Sequence, residues 1–272
     1  VPAIVVMFRT WENPIARQVS WETATGIRQY SVYDYSDGVL VGHRAFDGPG
    51  SDGTWQNDDD VQDSRTAYSA FEQGHWTRLV NYNGAGTDAQ WGTGDDVFRY
   101  HQLRTFDENG QNTLYDSYSG VGADGVPFSG DEPYGFRQQK TFDGRGLLIQ
   151  SFQPTAPGPD GTWFTGDDTA PGYSVTEYDE AGRRTRGLSM GPGPDTLFFT
   201  EDDVMGGYTD YKWLPDGRLD RYIDIQDPGP DGTWFTADDT DLWPTVYTYD
   251  SKGLLETEAW YDGSGVMGGY TE

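Results

Sequence analysis

The sequence predicts an all-β repeat protein of about seven β-hairpins, with acidic loops between the hairpins and a period of 36 residues. An acidic loop recurs six times, and a glycine stands 22 residues after the first aspartate of each loop. Apolar and polar residues alternate beside these glycines. The 37 glycines, 15 prolines and 15% aromatic residues are unlike a helical bundle and unlike a disordered chain.

We expect a single repeat domain spanning 1–272. Residues 1–32 lack an acidic loop and are predicted to form N-terminal capping strands, of which the apolar run Ala3–Phe8 would be one. Residues 33–262 carry the hairpins and the acidic loops, and 263–272 are predicted to form a C-terminal closing strand.

Each hairpin is predicted from a turn that ends in glycine, a residue without steric penalty at positive φ. An aromatic residue usually stands four positions earlier. The turn glycines are Gly38, Gly74, Gly110, Gly146, Gly182, Gly217 and Gly253. Positions +2, +6 and +8 after each glycine are mostly apolar and are predicted to face a core.

The length of the repeat limits the architecture. A loop of roughly 13 residues leaves no room for the four strands of a propeller blade within 36 residues. Seven neighbouring hairpins could form a coiled ribbon (a solenoid) or close into a wide barrel. The coiled ribbon is favoured because repeats that contact only their neighbours tend to form solenoids.

Each acidic loop has a leading aspartate followed seven and eight residues later by an acidic pair, and these carboxylates are candidate metal ligands. The six sets are Asp52, Asp59 and Asp60; Asp88, Asp95 and Asp96; Asp124, Asp131 and Glu132; Asp160, Asp167 and Asp168; Asp195, Asp202 and Asp203; Asp231, Asp238 and Asp239.

Several carboxylates on a glycine-rich backbone are typical of calcium sites, so the sequence predicts up to six bound Ca²⁺ ions. Mg²⁺ prefers fewer carboxylates, and the chain has no cysteine and only three scattered histidines for Zn²⁺. The alternative is that the loops are solvated acidic turns. An aromatic three residues after the leading aspartate is either a plug that packs its loop or a sugar-stacking platform; these are Trp55, Trp91, Trp163, Phe198 and Trp234.

The hairpin segments resemble the RHS or YD-repeat family, whose pattern is Tyr-Asp-x-x-Gly-Arg followed by a strand. Residues 178–183 match it fully and 249–254 match except for the arginine, while 106–110 and 142–146 carry Phe for Tyr. The resemblance implies a coiled ribbon of β-hairpins, as in bacterial cell-surface proteins, toxin shells and teneurins. The acidic loop inserted in every unit departs from the family pattern.

The charge and motifs restrict the function. A net charge of −27 makes nucleic acid an improbable partner, and no apolar run is long enough to span a bilayer. We expect a secreted or cell-surface protein with bacterial-type export, whose signal peptide is not in the chain. The first hypothesis is a non-catalytic, calcium-stabilised module that binds a glycan or surface partner, or is a spacer. The second is a secreted polysaccharide-active enzyme with a glycosidase-like carboxylate pair.

Overall fold

Sixteen β-strands and no helix make up the part of the chain that this computed structural model describes, residues 16–22, 26–55 and 57–271. The predicted all-β class is confirmed. Within the described residues, no helix is long and apolar enough to cross a membrane. The predicted strand at Ala3–Phe8 lies outside the described residues.

The chain divides into two compact units, Val1–Arg137 and Gln138–Glu272. The first unit contains β1 (Ala16–Glu22), β2 (Gly26–Ser36), β3 (Val39–Gly48), β4 (Val61–Glu72), β5 (His75–Tyr82), β6 (Phe98–Phe106), β7 (Asn112–Tyr118) and the start of β8 (Tyr134–Phe142). The second contains the rest of β8, then β9 (Leu148–Phe152), β10 (Tyr173–Tyr178), β11 (Arg184–Gly191), β12 (Val204–Trp213), β13 (Leu219–Asp227), β14 (Thr240–Tyr249), β15 (Leu255–Tyr261) and β16 (Met267–Thr271).

The strands are hydrogen-bonded in chain order from β1 to β16, without a crossover. Seven tight hairpins join β2 to β3, β4 to β5, and so on to β14 and β15, and the six acidic loops join one hairpin to the next. Among the described residues, β1 pairs only with β2 and β16 only with β15. Within residues 16–22, 26–55 and 57–271, the sheet is therefore an open meander, and these strands do not form the closed-barrel alternative.

All seven hairpin turns contain a glycine in the left-handed region, and in four of them the side chain of Asp107, Asp143, Asp179 or Asp250 accepts the backbone N–H four residues later. At the fifth turn, the backbone N–H of Gly182 donates to the Asp179 carbonyl at 3.0 Å, and φ of Gly182 is 78°. Asp179 Oδ1 accepts the backbone N–H of Arg183 at 2.8 Å. All seven predicted turn glycines have φ between 77° and 88°. The predicted turn geometry is confirmed, because only glycine adopts this conformation without a steric penalty.

Part of the core lies on the sheet face predicted from the alternation of apolar residues. Tyr118 and Ile225, each eight positions after a turn glycine, are buried, and so is Phe152, six positions after Gly146. The prediction is wrong for β5, where Thr77, Leu79 and Asn81, at odd positions after Gly74, are the buried residues. In the first unit, Tyr30 and Val32 form a buried cluster against which Phe46 and Trp55 pack. We call this side the loop face, because Trp55 and other loop aromatics pack on it.

Tyrosines of the turn motif connect consecutive hairpins of the second unit. The Tyr178 hydroxyl donates to the backbone carbonyl of Leu148 at 2.9 Å, and the Tyr249 hydroxyl donates to that of Leu219 at 2.8 Å. Each bond joins residues 30 positions apart. The tyrosine of the Tyr-Asp pattern therefore acts between repeats, whereas the aspartate acts within its own turn.

One hexapeptide, Val-Met-Gly-Gly-Tyr-Thr, occurs twice in the second unit, at 204–209 in β12 and at 266–271 around β16. Tyr208 of the first copy is only 9% exposed, whereas Tyr270 of the second is 56% exposed. β12 is paired on both sides, with β11 and β13, but β16 pairs only with β15 among the described residues. Burial of this tyrosine therefore depends on its neighbours and not on its local sequence.

Replacing a turn glycine should destabilise the fold by backbone strain. We expect Gly182→Val to lower the free energy of unfolding by about 1–3 kcal/mol, because valine is strained at a φ of 78°. Gly187→Val is the control, since a Cβ there would meet no atom within 4 Å and its φ is not in the left-handed region. Equal denaturant midpoints for both variants would contradict the turn argument.

Candidate functional site

The six acidic loops all use their carboxylates in the same three ways. Loops 1 to 3, which follow β3, β5 and β7, belong to the first unit, and loops 4 to 6, which follow β9, β11 and β13, belong to the second. We call the three acids of each loop the leading, second and third acid, in chain order. The structure brings the three together within their own loop, and each has hydrogen-bond donors of its own.

The leading aspartate forms a short local turn. In loop 4, Asp160 Oδ1 accepts the backbone N–H of Thr162 at 2.6 Å. The same bond to the residue two positions later is present in every loop, at 2.6–2.8 Å. Aspartate is favoured at such positions because its side chain can replace a backbone acceptor. This acid therefore fixes the beginning of the loop.

The second acid folds the loop back on its start. In loop 2, Asp95 Oδ2 accepts the backbone N–H groups of Thr87 and Asp88 at 2.6 and 3.1 Å. Hydrogen bonds from the Thr87 and Thr93 hydroxyls hold the pKa of Asp95 well below its usual range. A hydroxyl hydrogen bond is likewise the main cause of the lowered pKa of the second acid in the other five loops: Asp59, Asp131, Asp167, Asp202 and Asp238.

The third acid is buried beneath its loop, or half-buried there in the case of Asp60 and Asp203. Glu132, Asp168 and Asp239 are 4–8% exposed, and the Asp96 side chain is 1% exposed. In loop 4, Asp168 Oδ2 accepts the backbone N–H of Phe164 at 2.6 Å. Phe164 has a φ of 66°, an uncommon value for a residue with a Cβ. The buried carboxylate therefore holds the loop backbone in a strained conformation.

A side chain of the sheet also reaches the third acid in five of the loops. The hydroxyls of Tyr30, Tyr173 and Tyr208 donate to Asp60, Asp203 and Asp239 at 2.5–2.7 Å. Arg65 lies 3.5 Å from Asp96, and His101 lies 3.7 Å from Glu132. Burial and the bond to Asp203 raise the pKa of Tyr173 to about 12, so this tyrosine remains the proton donor. Each of these contacts attaches a loop to a strand about 30 residues earlier.

The residue five positions after the leading aspartate lies between the acids, and we call it the central residue. It carries a hydroxyl in loops 2 to 6 and is Asn57 in loop 1. In loop 2, Thr93 Oγ1 is 2.7 Å from Asp95 Oδ1, 3.3 Å from Asp88 Oδ1 and 3.0 Å from the Gln90 carbonyl oxygen. Loops 3 to 6 likewise place two acids within 3.5 Å of the central hydroxyl. One hydroxyl carries a single proton, so it cannot satisfy all of these acceptors.

Loop 2 also contains a buried carboxylate oxygen without a partner. Asp96 Oδ2 accepts the backbone N–H of Gly92 at 2.8 Å, whereas the buried Asp96 Oδ1 has no hydrogen-bond partner. In loops 4 to 6, the corresponding Oδ1 atom lies 3.3–3.5 Å from the central hydroxyl. A buried acceptor without a donor is unfavourable, and a cation would relieve it.

The predicted calcium ligands therefore lie near one another, but as a hydrogen-bonded loop. Across the described residues, no group of three or more Asp, Glu, His or Cys side chains is arranged to hold a metal ion. Loop 3 differs most from the rest, since its third acid is Glu132 and its sheet neighbour is a histidine. His101 is completely buried, and neither ring nitrogen has a hydrogen-bond partner.

The aromatic residue three positions after the leading aspartate packs on the sheet in loops 1, 5 and 6. Trp55 and Trp234 lie edge-on to Tyr30 and Tyr208, with ring centroids 6.1 and 5.9 Å apart. Phe198 is 4% exposed, and its ring centroid is 5.2 Å from that of Phe152. These contacts are those of a plug that packs its loop.

The second unit has a groove on the sheet face opposite its loops, which we call the polar groove after its serine, threonine and glutamine side chains. Leu148, Val175 and Leu188 also line it. Ser151, Ser174 and Ser189 lie directly opposite one another on β9, β10 and β11, one position along from Phe152 and Tyr173, which contact loop aromatics. Successive residues of a strand point to opposite faces, so the serines lie on the other side of the sheet. The groove has a volume of about 470 Å³.

Three features were not found from the sequence. The central residue recurs at a fixed offset as Asn57, Thr93, Ser129, Thr165, Thr200 and Thr236, so the repeat itself contained that signal. The sheet residue that contacts the third acid changes among Tyr, Arg and His and leaves no single-residue pattern. The polar residues of the groove form no motif, and only strand register brings them together.

In comparisons with known proteins, the chain matches no family model and no curated sequence. Several solved structures are distantly similar. A porin-like protein from Bacteroides uniformis ATCC 8492 has a TM-score of 0.35 at 10% identity, with 94% of each chain covered.

The chain is also similar to TcdB2-TccC3 structures. The complex with Cdc42 has a TM-score of 0.27 at 10% identity, covering 94% of this chain and 16% of that one. The TcdB2-TccC3-TEV structure has a TM-score of 0.20 at 13% identity, covering 98% and 20%. At these TM-scores, the similarities do not bear on function.

Removing a sheet donor should destabilise the loop that it holds. We expect Tyr208→Phe to lower the free energy of unfolding by about 1–3 kcal/mol, because Asp239 would lose a buried hydrogen bond. Tyr222→Phe is the control, since no hydrogen bond of its hydroxyl is described, and it should change stability by less than about 0.5 kcal/mol. Thermal unfolding of both variants measures the difference, and equal losses would contradict this role for Tyr208.

The central hydroxyl should control the ionisation of the second acid. In calcium-free buffer, we expect Thr165→Val to raise the pKa of Asp167 towards its usual value, because the 2.7 Å hydroxyl hydrogen bond is the main cause of its lowered pKa. A carboxyl with a lowered folded-state pKa stabilises the fold above its unfolded-state pKa, and this is lost as pH falls through the folded-state value. Carboxyl NMR titration measures the shift, with Thr162→Val as the control. An unchanged Asp167 pKa would contradict the assignment.

Proposed function

We propose that this chain is a non-catalytic β-repeat module of the YD-repeat type, which works outside the cell and is stabilised by calcium ions in its acidic loops. The observation that carries the proposal is the crowding of acceptor oxygens around a single hydroxyl proton in loops 2 to 6. The unpartnered Asp96 Oδ1 in loop 2 supports it independently. A divalent cation would compensate the negative charge that hydrogen bonds alone leave in place.

The donor set of the loops fits calcium. In loop 2, the oxygens around Thr93 belong to two carboxylates, one hydroxyl and the Gln90 carbonyl. Asp96 contributes a third carboxylate. Ca²⁺ binds six to eight such oxygens and accepts irregular geometry, so these groups together with water could complete its coordination. Bound ions would bring positive charge to each loop and reduce the repulsion between its acids.

The charge distribution supports the same interpretation. The eighteen loop acids account for two thirds of the net charge of −27. Calcium-binding modules outside the cell commonly have dissociation constants of about 10⁻⁴–10⁻³ M, which suits loops with exposed leading and second acids. A secreted or cell-surface location would supply calcium at such concentrations, and a glycan or surface partner is the binding partner proposed for the module.

A non-catalytic role follows from how the acids are used. Every leading, second and third acid recurs at the same offset, and each accepts hydrogen bonds within its own loop, as Asp160, Asp167 and Asp168 do. A catalytic carboxyl pair would stand out from such a repeat in position or environment. The glycosidase alternative has no comparable observation in its favour.

Calcium should stabilise the protein strongly. One site occupied at 100 times its dissociation constant adds about 2.7 kcal/mol, so several occupied loops should raise the melting temperature markedly. We expect chelation to lower it by about ten degrees or more, and Ca²⁺ to restore it better than Mg²⁺. Differential scanning calorimetry measures the shift, and plasma emission spectroscopy counts the bound ions.

A paired variant tests the loop assignment. Asp160→Asn with Asp167→Asn should reduce the calcium content by about one ion per chain, while the amide oxygens can still accept the loop hydrogen bonds. Glu180→Gln with Glu256→Gln removes the same charge at exposed positions outside the loops and should leave the calcium content unchanged. A protein that binds no calcium, and whose melting curve chelator leaves in place, would overturn the proposal.

A further inference from the structure

We infer that the polar groove on the second unit is a binding site for a neutral polysaccharide. The inference deepens the proposed function by naming the class of ligand and the surface that binds it. It depends on the groove alone, which lies on the sheet face opposite the acidic loops.

The floor of the groove is a row of hydroxyl groups on neighbouring strands. Ser174 pairs with Ser151 on one side and with Ser189 on the other, so three serines lie side by side across β9, β10 and β11. Neighbouring strands are about 4.8 Å apart, and the hydroxyls therefore follow one another at that spacing. A serine hydroxyl both donates and accepts hydrogen bonds, as sugar hydroxyls do.

Small residues make the floor low, and longer amide side chains line the same groove. Gly187 lies between Thr176 and Thr209 in register, and a Cβ at Gly187 would meet no atom within 4 Å. Gln138, Gln153 and Gln226 also line the groove. Each amide offers two donor hydrogens and an acceptor oxygen in one plane, which suits neighbouring hydroxyls of a ligand. The volume of about 470 Å³ is within the range of small-ligand sites.

The groove is free of acidic residues in a strongly acidic protein. No aspartate or glutamate lines it within the described part of the chain, and Arg184 is its one charged residue there. A row of aromatic rings begins next to Arg184, whose guanidinium donates to the Tyr211 hydroxyl at 3.2 Å. The rings of Tyr211, Tyr222 and Tyr247 follow across β12, β13 and β14, with centroids 5.9 and 6.3 Å apart.

This chemistry favours a neutral polysaccharide over other polymers. An extended peptide would be expected to add to a free strand edge, whereas the strands β9, β10 and β11 under this groove are paired on both sides. An anionic polymer would be repelled by a protein of net charge −27. The amides and hydroxyls suit the hydroxyl edges of sugars, and tyrosines present an apolar ring with a polar tip to surfaces of mixed character.

Affinity electrophoresis of the calcium-loaded protein tests the inference. The probes are four neutral polysaccharides, laminarin, dextran, mannan and galactomannan, and two anionic ones, alginate and hyaluronate. We expect at least one neutral probe to slow migration. Isothermal titration with that probe should give a dissociation constant that changes less than about twofold between 50 and 500 mM salt, because no charge pairing is involved.

Two variants connect binding to the groove. Gly187→Leu fills the floor without backbone strain and should weaken binding about tenfold or more, whereas Gly144→Leu, at a turn where a Cβ also meets no atom within 4 Å, should leave binding unchanged. Ser174→Ala with Ser189→Ala should weaken binding about threefold to tenfold, through lost hydrogen bonds. Melting curves show whether each variant is folded. If Gly187→Leu is not folded, the Ser174→Ala, Ser189→Ala double variant provides the test.

The outcomes separate this inference from the calcium proposal. Calcium-dependent stability without binding of any neutral probe would overturn the groove inference and leave the calcium proposal standing. Binding of a neutral probe by a protein that proves to hold no calcium, and whose melting curve chelator leaves in place, would support the groove inference and overturn the calcium proposal. Binding that Gly187→Leu and the serine pair leave unchanged, or binding of anionic probes that salt abolishes, would also overturn the assignment to the groove.

Discussion

The third acid of each loop, buried or half-buried against the sheet, is the contact on which the arrangement of the loops depends. Its carboxylate is enclosed between sheet and loop, and a buried charge is tolerated only when it is hydrogen-bonded. Asp239 shows how this is achieved, with the Phe235 backbone N–H above it and the Tyr208 hydroxyl below. The loop backbone and the earlier strand are thereby held by the same oxygen atom, Asp239 Oδ2. Without that carboxylate, a glycine-rich loop would have few contacts to oppose its conformational entropy.

The hairpins could be predicted from the sequence because their determinants are local. The spacing of Gly182 from its aspartate and the alternation of residues after it depend on turn sterics and on strand geometry, and both repeat in every unit. The same reasoning located the carboxylates of the loops. It did not show that Asp168 would be buried while Asp160 stays exposed, since that difference arises from the path of the loop over the sheet.

The remaining features depend on contacts between residues distant in sequence. Tyr208 and Asp239 are 31 positions apart, and in loops 2 and 3 an arginine and a histidine take the place of the tyrosine. A repeat is recognised in a sequence by identical residues, whereas these three residue types share only their position against the third acid. The groove depends on register in the same way, because Ser151, Ser174 and Ser189 come together only when three separate strands pair in one alignment.

The two copies of Val-Met-Gly-Gly-Tyr-Thr show that this protein stabilises its parts by nearest-neighbour coupling. One sequence gives a buried Tyr208 where a following strand and loop cover it, and an exposed Tyr270 where the described residues include no such cover. Each repeat is then weak alone and strong beside another, as in a one-dimensional Ising chain. Cooperativity in such a chain resides at the junctions between repeats, so unfolding would spread from the least covered junction and its midpoint would rise with the number of repeats joined.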